Sequence, residues 1–304
     1  MRVAAIDCGT NSIRLLIADV FDDQLTDVTR QMQIVRLGEG VDRTGRISDA
    51  ALARTRAALI AYGKEIAGHD VARVRMCATS ASRDASNAGE FRAMVRGVLG
   101  VDPEVISGRQ EAHLSFVGAV NGLTAEAPYL VFDLGGGSTE FVTGRADVEQ
   151  AISMDIGCVR MTERHLHGDP PTAAEIDAAT AEVTAAVEVA LAAVPGRSAR
   201  TLVGLAGTVT TVTALALGLP SYDAARIHHA RVSYDAVAKV TADLLGMTVA
   251  QRRALPVMHP GRADVIGAGA LILRIIMERS GQSSLVASEH DILDGIAFGL
   301  AAPA

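Results

Sequence analysis

The amino-acid sequence predicts an α/β protein made of two similar halves, and three observations support this prediction. Apolar runs rich in β-branched residues flank a short polar turn at residues 3–6 and 13–20, which is a hairpin pattern. Segments with apolar residues at helical spacing alternate with such strands. Finally, Asp, Gly and Ser stand at identical offsets in residues 6–12 and 132–138, which lie about one domain length apart.

Periodicity and capping residues predict the elements of the first half. Hydroxyl side chains at Ser48 and Ser107 can each accept a hydrogen bond from the first turn of a helix. The predicted elements, in order, are a helix over 48–67, a strand over 74–78, a helix over 88–98, a strand ending at 105–106 and a helix starting at 107.

The second half begins helices with two capping boxes, Thr172 with Glu175 and Thr248 with Gln251. Gly246 is predicted to cap the end of another helix. The predicted elements are helices over 172–194, 233–245 and 263–279, a helix that starts at 248 and stops before Pro256, and a strand over 285–287. A small polar linker at residues 121–125 places the boundary between domains 1–122 and 123–289.

Composition and charge exclude several classes of protein. With 49% hydrophobic and 21% charged residues, the chain of 304 residues is globular and not disordered. A net charge of −7 and only 3% aromatic residues argue against a nucleic-acid-binding protein. The three cysteines are far apart in the sequence, which argues against disulfides. The acid at Asp7 comes too early for a secretory signal, and no apolar run is long enough to span a membrane. We therefore expect a soluble cytoplasmic protein.

The repeated turn has the chemistry of an anion site. Glycines allow positive φ and close approach to a ligand, and successive backbone N–H groups with hydroxyls form a concavity for phosphate. Asp-x-Gly turns are also common in ordinary hairpins, but three successive glycines are entropically costly without a purpose. The predicted phosphate-binding residues of the two turns are Gly9, Thr10, Asn11, Ser12, Gly135, Gly136, Gly137, Ser138 and Thr139.

These turns and several other motifs resemble the exopolyphosphatase/guanosine pentaphosphatase (Ppx/GppA) family. The matching segments run in order across nearly the whole chain: residues 6–12, 78–87, 106–112, 131–140, 155–163, 204–208 and 260–264. The resemblance implies the actin/sugar-kinase/Hsp70 (ASKHA) fold, with two RNase H-like domains and an interdomain cleft. It also implies a short two-domain member, a homodimer, and a terminal helix of about 290–304 that packs back on the first domain.

The resemblance assigns the catalytic base to Glu111, in the Ser-Gly-x-x-Glu-Ala motif. A capping box of Ser107 with Gln110 would leave Glu111 free in the first helical turn. The alternative explanation is that the helix macrodipole favours an acid there. Many relatives carry a second acid at the position of Gln110, so this chain has one negative charge fewer near the phosphates.

The resemblance also implies the metal residues, whereas the internal repeat suggests Asp7 and the chemistry of its side chain suggests Arg83. Asp133 and Glu140 are the predicted Mg²⁺ residues, with Asp7 as the symmetric counterpart, and carboxylates are ligands that Mg²⁺ prefers. A solvated strand face is the alternative explanation for Glu140. Arg83 presents a fork that matches phosphate oxygens, after Ser80 as a possible helix cap. A third ligand-facing turn is predicted at Gly207 and Thr208.

The predicted activity is hydrolysis of the terminal phosphate of linear inorganic polyphosphate, with Mg²⁺ and with Glu111 activating water. Guanosine pentaphosphate is the alternative substrate, since it would engage the same turns. A non-catalytic polyphosphate- or nucleotide-binding regulator and a kinase are further possibilities that this fold permits.

Overall fold

The computed structural model describes residues 1–22 and 24–301, and the chain divides into two compact units. Unit 1 contains Met1–Gly118 and the chain from Asp291 onward, and unit 2 contains Ala119–His290. The predicted boundary after residue 122 falls just beyond this division. Residues 302–304, the last part of the predicted terminal helix, lie outside the described residues.

Eleven strands and thirteen α-helices are found among the described residues. The strands are β1 (Arg2–Cys8), β2 (Ser12–Phe21), β3 (Gln24–Ile34), β4 (Arg73–Ala78), β5 (Glu104–Val105), β6 (Tyr129–Leu134), β7 (Thr139–Gly144), β8 (Val148–Met154), β9 (Thr201–Leu205), β10 (Arg231–Ser233) and β11 (Ser284–Ala287). The helices are α1 (Val41–Thr44), α2 (Asp49–Ala67), α3 (Ser80–Asp84), α4 (Ala88–Leu99), α5 (Gly108–Val120), α6 (Cys158–His165), α7 (Ala173–Ala193), α8 (Ala206–Ala216), α9 (Ala224–Ile227), α10 (Tyr234–Gly246), α11 (Val249–Arg253), α12 (Ile266–Ser280) and α13 (Ile292–Ala301).

The two units contain sheets of the same topology. In unit 1 the strand order is β3-β2-β1-β4-β5, with β1 antiparallel to β2 and parallel to β4. In unit 2 the order is β8-β7-β6-β9-β11, and β10 adds an outer antiparallel strand. There β6 is antiparallel to β7 and parallel to β9. The α/β fold with two similar halves is therefore confirmed.

Alternation along β1 shows how unit 1 covers both faces of its sheet. Ala4 and Ile6 belong to the core beneath α2 and α4, whereas Val3 and Ala5 belong to the core that contains Ile292 and Ile296 of α13. All four β1 side chains are fully buried. A strand buried on both faces reads as a continuous apolar run, which is why the sequence identifies β1 clearly.

Local capping signals locate several helices. The Ser48 hydroxyl accepts from Ala51 N, and both predicted capping boxes of unit 2, at Thr172 and Thr248, are formed. The end of α10 differs from the prediction, because Gly246 is its last residue and Met247 follows in extended conformation as the cap. Helix α12 begins at Ile266, later than predicted, since a short 3₁₀ helix at Pro260–Arg262 is followed by a turn at residues 263–265.

The cysteine and membrane predictions can be compared with the described residues. Cys8, Cys77 and Cys158 are free and buried. Burial raises the pKa of the Cys158 thiol to about 11, so this thiol is protonated near neutral pH. Within residues 1–22 and 24–301, no helix is both long and apolar enough to cross a bilayer.

Candidate active site

The two repeated turns close with the same backbone hydrogen bond. Gly9 N donates to Ser12 O at 3.0 Å in unit 1, and Gly135 N donates to Ser138 O at 3.0 Å in unit 2. Each turn connects the first two antiparallel strands of its sheet, β1 with β2 and β6 with β7. The sequence repeat is therefore a repeat of backbone geometry as well.

In both turns the carbonyl groups bind the rest of the unit. In unit 1, Thr10 O accepts from Gly38 N at 2.8 Å, and Asn11 O accepts from Val35 N and Arg36 N at 3.1 and 2.8 Å. In unit 2, the start of α6 supplies the donors: Cys158 N donates to Gly135 O at 3.0 Å, and Val159 N donates to Gly136 O at 2.9 Å.

The N–H groups of these turns make no corresponding bonds. Among the described residues, the backbone N–H groups of Thr10, Asn11, Gly136 and Gly137 donate to no protein acceptor. Successive N–H groups that are not used within a fold form a concavity that binds anions. Both turns thus have the donor arrangement that the sequence predicts for phosphate.

The predicted positive φ at the turn glycines is wrong. Positive φ occurs at other glycines of the chain, but at none of Gly9, Gly135, Gly136 and Gly137. Close backbone approach accounts for Gly135, and the absence of a side chain at Gly157 lets that residue lie against Gly136 and Gly137. A Cβ on Gly135 would lie 3.1 Å from Ser138 O, and a Cβ on Gly157 would overlap the backbone of Gly136 and Gly137.

Helix α5 begins with the predicted capping box and places Glu111 in its first turn. Ser107 N donates to Gln110 Oε1 at 2.9 Å, and Gln110 N donates to Ser107 Oγ at 3.3 Å. The sequence predicts a free Glu111, and the structure shows that this is wrong. Glu111 is 8% exposed, and its Oε2 accepts from Arg83 Nη1 at 2.7 Å. A buried carboxylate needs such a partner, because desolvation alone would favour its neutral form.

Arg83 is held by its Nη1 atom, which donates to Ile106 O at 3.0 Å as well as to Glu111. Among the described residues its Nε and Nη2 atoms have no hydrogen-bond acceptor, and the side chain is 22% exposed. Arg83 can therefore offer two donors to a phosphate without releasing Glu111. Ser80 is the first residue of α3 and not its cap, because Thr79 occupies the cap position.

Asp133 and Glu140 are directly opposite each other on β6 and β7. Cross-strand partners project from the same face with their Cβ atoms about 5 Å apart. Both side chains are buried, and Glu140 Oε1 accepts from Ser153 Oγ at 2.7 Å. Two hard oxygen ligands suit Mg²⁺, which commonly uses one or two carboxylates and completes its shell with water and substrate oxygens. The described residues contain no group of three or more His, Cys, Asp or Glu side chains that could hold a metal alone.

Asp7 has a different cross-strand partner from Asp133. Its partner across β1 and β2 is Arg14, whose Nη2 and Nε lie 2.8 and 3.1 Å from Asp7 Oδ2. Burial raises the pKa of Asp7, and the positive charge of Arg14 opposes that shift. Arg14 also forms an ion pair with Asp291, the residue before α13. A metal at Asp7 stays a prediction, and the structure shows its carboxylate bound to arginine.

Gly207 and Thr208 lie at the start of helix α8, so the predicted third turn is wrong. Ala206 makes the sharp change of direction after β9 with φ of 71°, a left-handed conformation that is costly for a residue with a Cβ. Gly207 gives room to the guanidinium of Arg262, which packs against it. Arg262 lies in one of the segments that match the family, but no local pattern predicts its contact with Gly207.

Comparisons with known proteins agree across nearly the whole chain. Residues 16–301 match the Ppx/GppA phosphatase family. The chain is 55% identical to exopolyphosphatase 2 of Mycobacterium tuberculosis, with 99% of this chain and 98% of the relative covered. A crystal structure described as an exopolyphosphatase-like protein is 44% identical with a TM-score of 0.96, covering 98% of this chain and 97% of the other. An Aquifex aeolicus Ppx/GppA structure is 32% identical, with a TM-score of 0.84 and coverage of 99% and 98%.

Proposed function

Because the chain belongs to the Ppx/GppA phosphatase family, we propose that it is an exopolyphosphatase that releases orthophosphate from the end of linear inorganic polyphosphate. The observation that carries this proposal is the pair of turns whose carbonyls are bound while their N–H groups are available. Phosphate chains are anions with many acceptor oxygens, and such donors bind them without needing a net positive protein. The relative named exopolyphosphatase 2 matches the chain over nearly its whole length.

In the proposed mechanism, the turn amides and Arg83 hold the oxygens of the terminal phosphoryl group. Glu111 accepts a proton from water, whose oxygen attacks phosphorus in line with the anhydride oxygen. The new P–O bond forms as the anhydride P–O bond breaks, and the shortened chain leaves with the bonding electron pair. Arg83 Nη1 lies 2.7 Å from Glu111 Oε2 and holds this carboxylate in place for the step.

Asp133 and Glu140 would hold Mg²⁺. When bound, the ion offsets the negative charge of the substrate phosphates. The two carboxylates fix its place on unit 2, since both lie on one face of paired strands. We keep Asp7 as a weaker proposal for a metal contact, and Gly207 and Thr208 as proposed ligand-contacting residues at the helix start.

A panel of substrates tests the proposed activity. Phosphate release with Mg²⁺ is measured from long polyphosphate, guanosine pentaphosphate and ATP. We expect release from polyphosphate with the highest kcat/KM. Preferential release from guanosine pentaphosphate would replace the proposed substrate, and binding of all three without release would make the chain a regulator.

Removal of divalent cations should abolish phosphate release, because Asp133 and Glu140 add negative charge beside a polyanionic substrate. The measurement is the release rate in excess chelator, followed by titration with Mg²⁺. We expect recovery on Mg²⁺ addition, with Mg²⁺ best or close to it. Full activity in chelator would contradict the metal assignment.

Affinity for polyphosphate should fall as salt concentration rises, despite the net charge of −7. Exposed parts of the attraction between substrate and turn amides or Arg83 are screened by ions. A long chain should show a steeper dependence of Kd on salt than tripolyphosphate. Equal slopes would mean that the long chain gains no additional charged contacts.

A homodimer is proposed from the family membership alone. Light scattering of the purified protein at several concentrations would measure its mass, and a monomer at all concentrations would exclude this proposal.

A further inference from the structure

Three polar side chains form a row across the strands of unit 2. Glu140 on β7 is paired with Asp133 on β6 on one side and with Ser153 on β8 on the other. Directly paired residues of antiparallel strands project from the same face of a sheet. Ser153 therefore lies on the face that carries the two carboxylates, although it follows Glu140 along the chain by a whole hairpin.

Ser153 forms a specific bond with one carboxylate oxygen. Its hydroxyl donates to Glu140 Oε1 at 2.7 Å, and Glu140 is only 1% exposed. A bond to one oxygen fixes the rotation of the carboxylate plane, which a glutamate side chain otherwise samples broadly. The strand pairing of β7 with β8 holds Ser153 itself in place.

We propose that Ser153 is a positioning residue that orients Glu140 toward the Mg²⁺ ion held by Glu140 and Asp133. This inference rests on the proposed function. Residues that bind a metal ligand from behind set its orientation, and their loss typically reduces metal affinity by about 10–100-fold. In this role Ser153 acts through Glu140, to which its hydroxyl donates.

Direct metal binding tests the proposal. The probe is Mn²⁺ alone, whose free concentration is measured by electron paramagnetic resonance in titrations of the intact protein. Ser153→Ala should weaken Mn²⁺ binding by about 10-fold. Ser153→Thr retains a hydroxyl and should recover most of the affinity. In activity assays, Ser153→Ala should need about 10-fold more Mg²⁺ for half-maximal rate, with kcat at saturating Mg²⁺ little changed.

Thr143→Val provides a matched control. Thr143 lies on the same strand, three residues from Glu140 and therefore on the opposite face. Its hydroxyl is buried and has no hydrogen-bond partner among the described residues. Removing this hydroxyl should leave Mn²⁺ affinity unchanged. Melting temperatures of all variants show whether each protein is folded, and Ser153→Thr carries the test if Ser153→Ala does not fold.

The outcomes separate the inference from the function on which it rests. Loss of Mn²⁺ binding in Glu140→Gln, together with wild-type binding in Ser153→Ala, would overturn the role of Ser153 and leave the metal site in place. Wild-type Mn²⁺ binding in Glu140→Gln would overturn the metal site and the inference with it. Failure of Ser153→Thr to recover affinity would also count against a role for the hydroxyl.

Discussion

Glu111→Gln should reduce kcat for polyphosphate hydrolysis by about 10²–10⁴-fold, the usual scale for loss of a general base. The amide has the shape of the carboxylate and can still accept from Arg83 Nη1, now 2.7 Å from Glu111 Oε2, but it cannot take a proton from water. Substrate affinity should be retained or rise slightly, because a negative charge near the phosphates is removed. Stopped-flow or steady-state phosphate release, combined with a binding titration, measures both quantities.

Two further variants control for this result. Asp133→Asn should weaken the binding of Mg²⁺ and lower the apparent affinity for polyphosphate together, since it alters the proposed ion site. Gln110→Ala removes the acceptor for Ser107 N and should cost about 0.5–2 kcal/mol of stability while retaining turnover. Near wild-type turnover in Glu111→Gln would refute the mechanism. A folded but inactive Gln110→Ala would place the base one residue earlier.

Gly295→Ala should reduce the free energy of unfolding by about 1–3 kcal/mol through overpacking. A Cβ at Gly295 of α13 would overlap the carbonyl of Leu114 in α5, and a Cβ at Gly118 of α5 would overlap the carbonyl of Asp291. Because each obstacle is backbone, neither can move aside without shifting a helix of unit 1. The midpoint of urea-induced unfolding measures the change.

Gly97→Ala is the matched control and should change stability in the opposite direction. Gly97 lies inside α4, is exposed, and has nothing within 4 Å of the added Cβ. Alanine there should gain about 0.5–1 kcal/mol, because glycine loses more backbone entropy in a helix. Equal effects of Gly97→Ala and Gly295→Ala would show that helix propensity alone decides, and that the approach of α5 to α13 does not.

The features that the sequence predicts are those encoded within a few neighbouring residues. The capping boxes at Ser107, Thr172 and Thr248 are formed because donor and acceptor stand three residues apart. By contrast, strands β3 and β8 were not predicted. Both are edge strands in which no residue is fully buried, so their sequences lack a continuous apolar run or clear alternation.

The candidate site is predictable in residue identity but not in its contacts. Separate sequence motifs indicate Arg83 and Glu111. Their hydrogen bond, between residues 28 positions apart, is seen only in the folded chain. No sequence pattern identifies Ser153 as a site residue, because its contact with Glu140 depends on the register of β7 with β8. Arg14 was visible in principle, since it stands at the same offset from Asp7 as Glu140 does from Asp133.

This shared offset means that the same hairpin turn occurs twice in the chain with cross-strand side chains of opposite charge. Opposite the aspartate stands an arginine in unit 1, Arg14, and a glutamate in unit 2, Glu140. A carboxylate facing a guanidinium has an internal counter-ion, whereas a carboxylate facing a carboxylate repels its partner. The cross-strand side chain therefore makes the first turn less negative than the second, although Arg14 is shared between Asp7 and Asp291. Anion occupancy at the first turn should depend less on divalent cations than occupancy at the second.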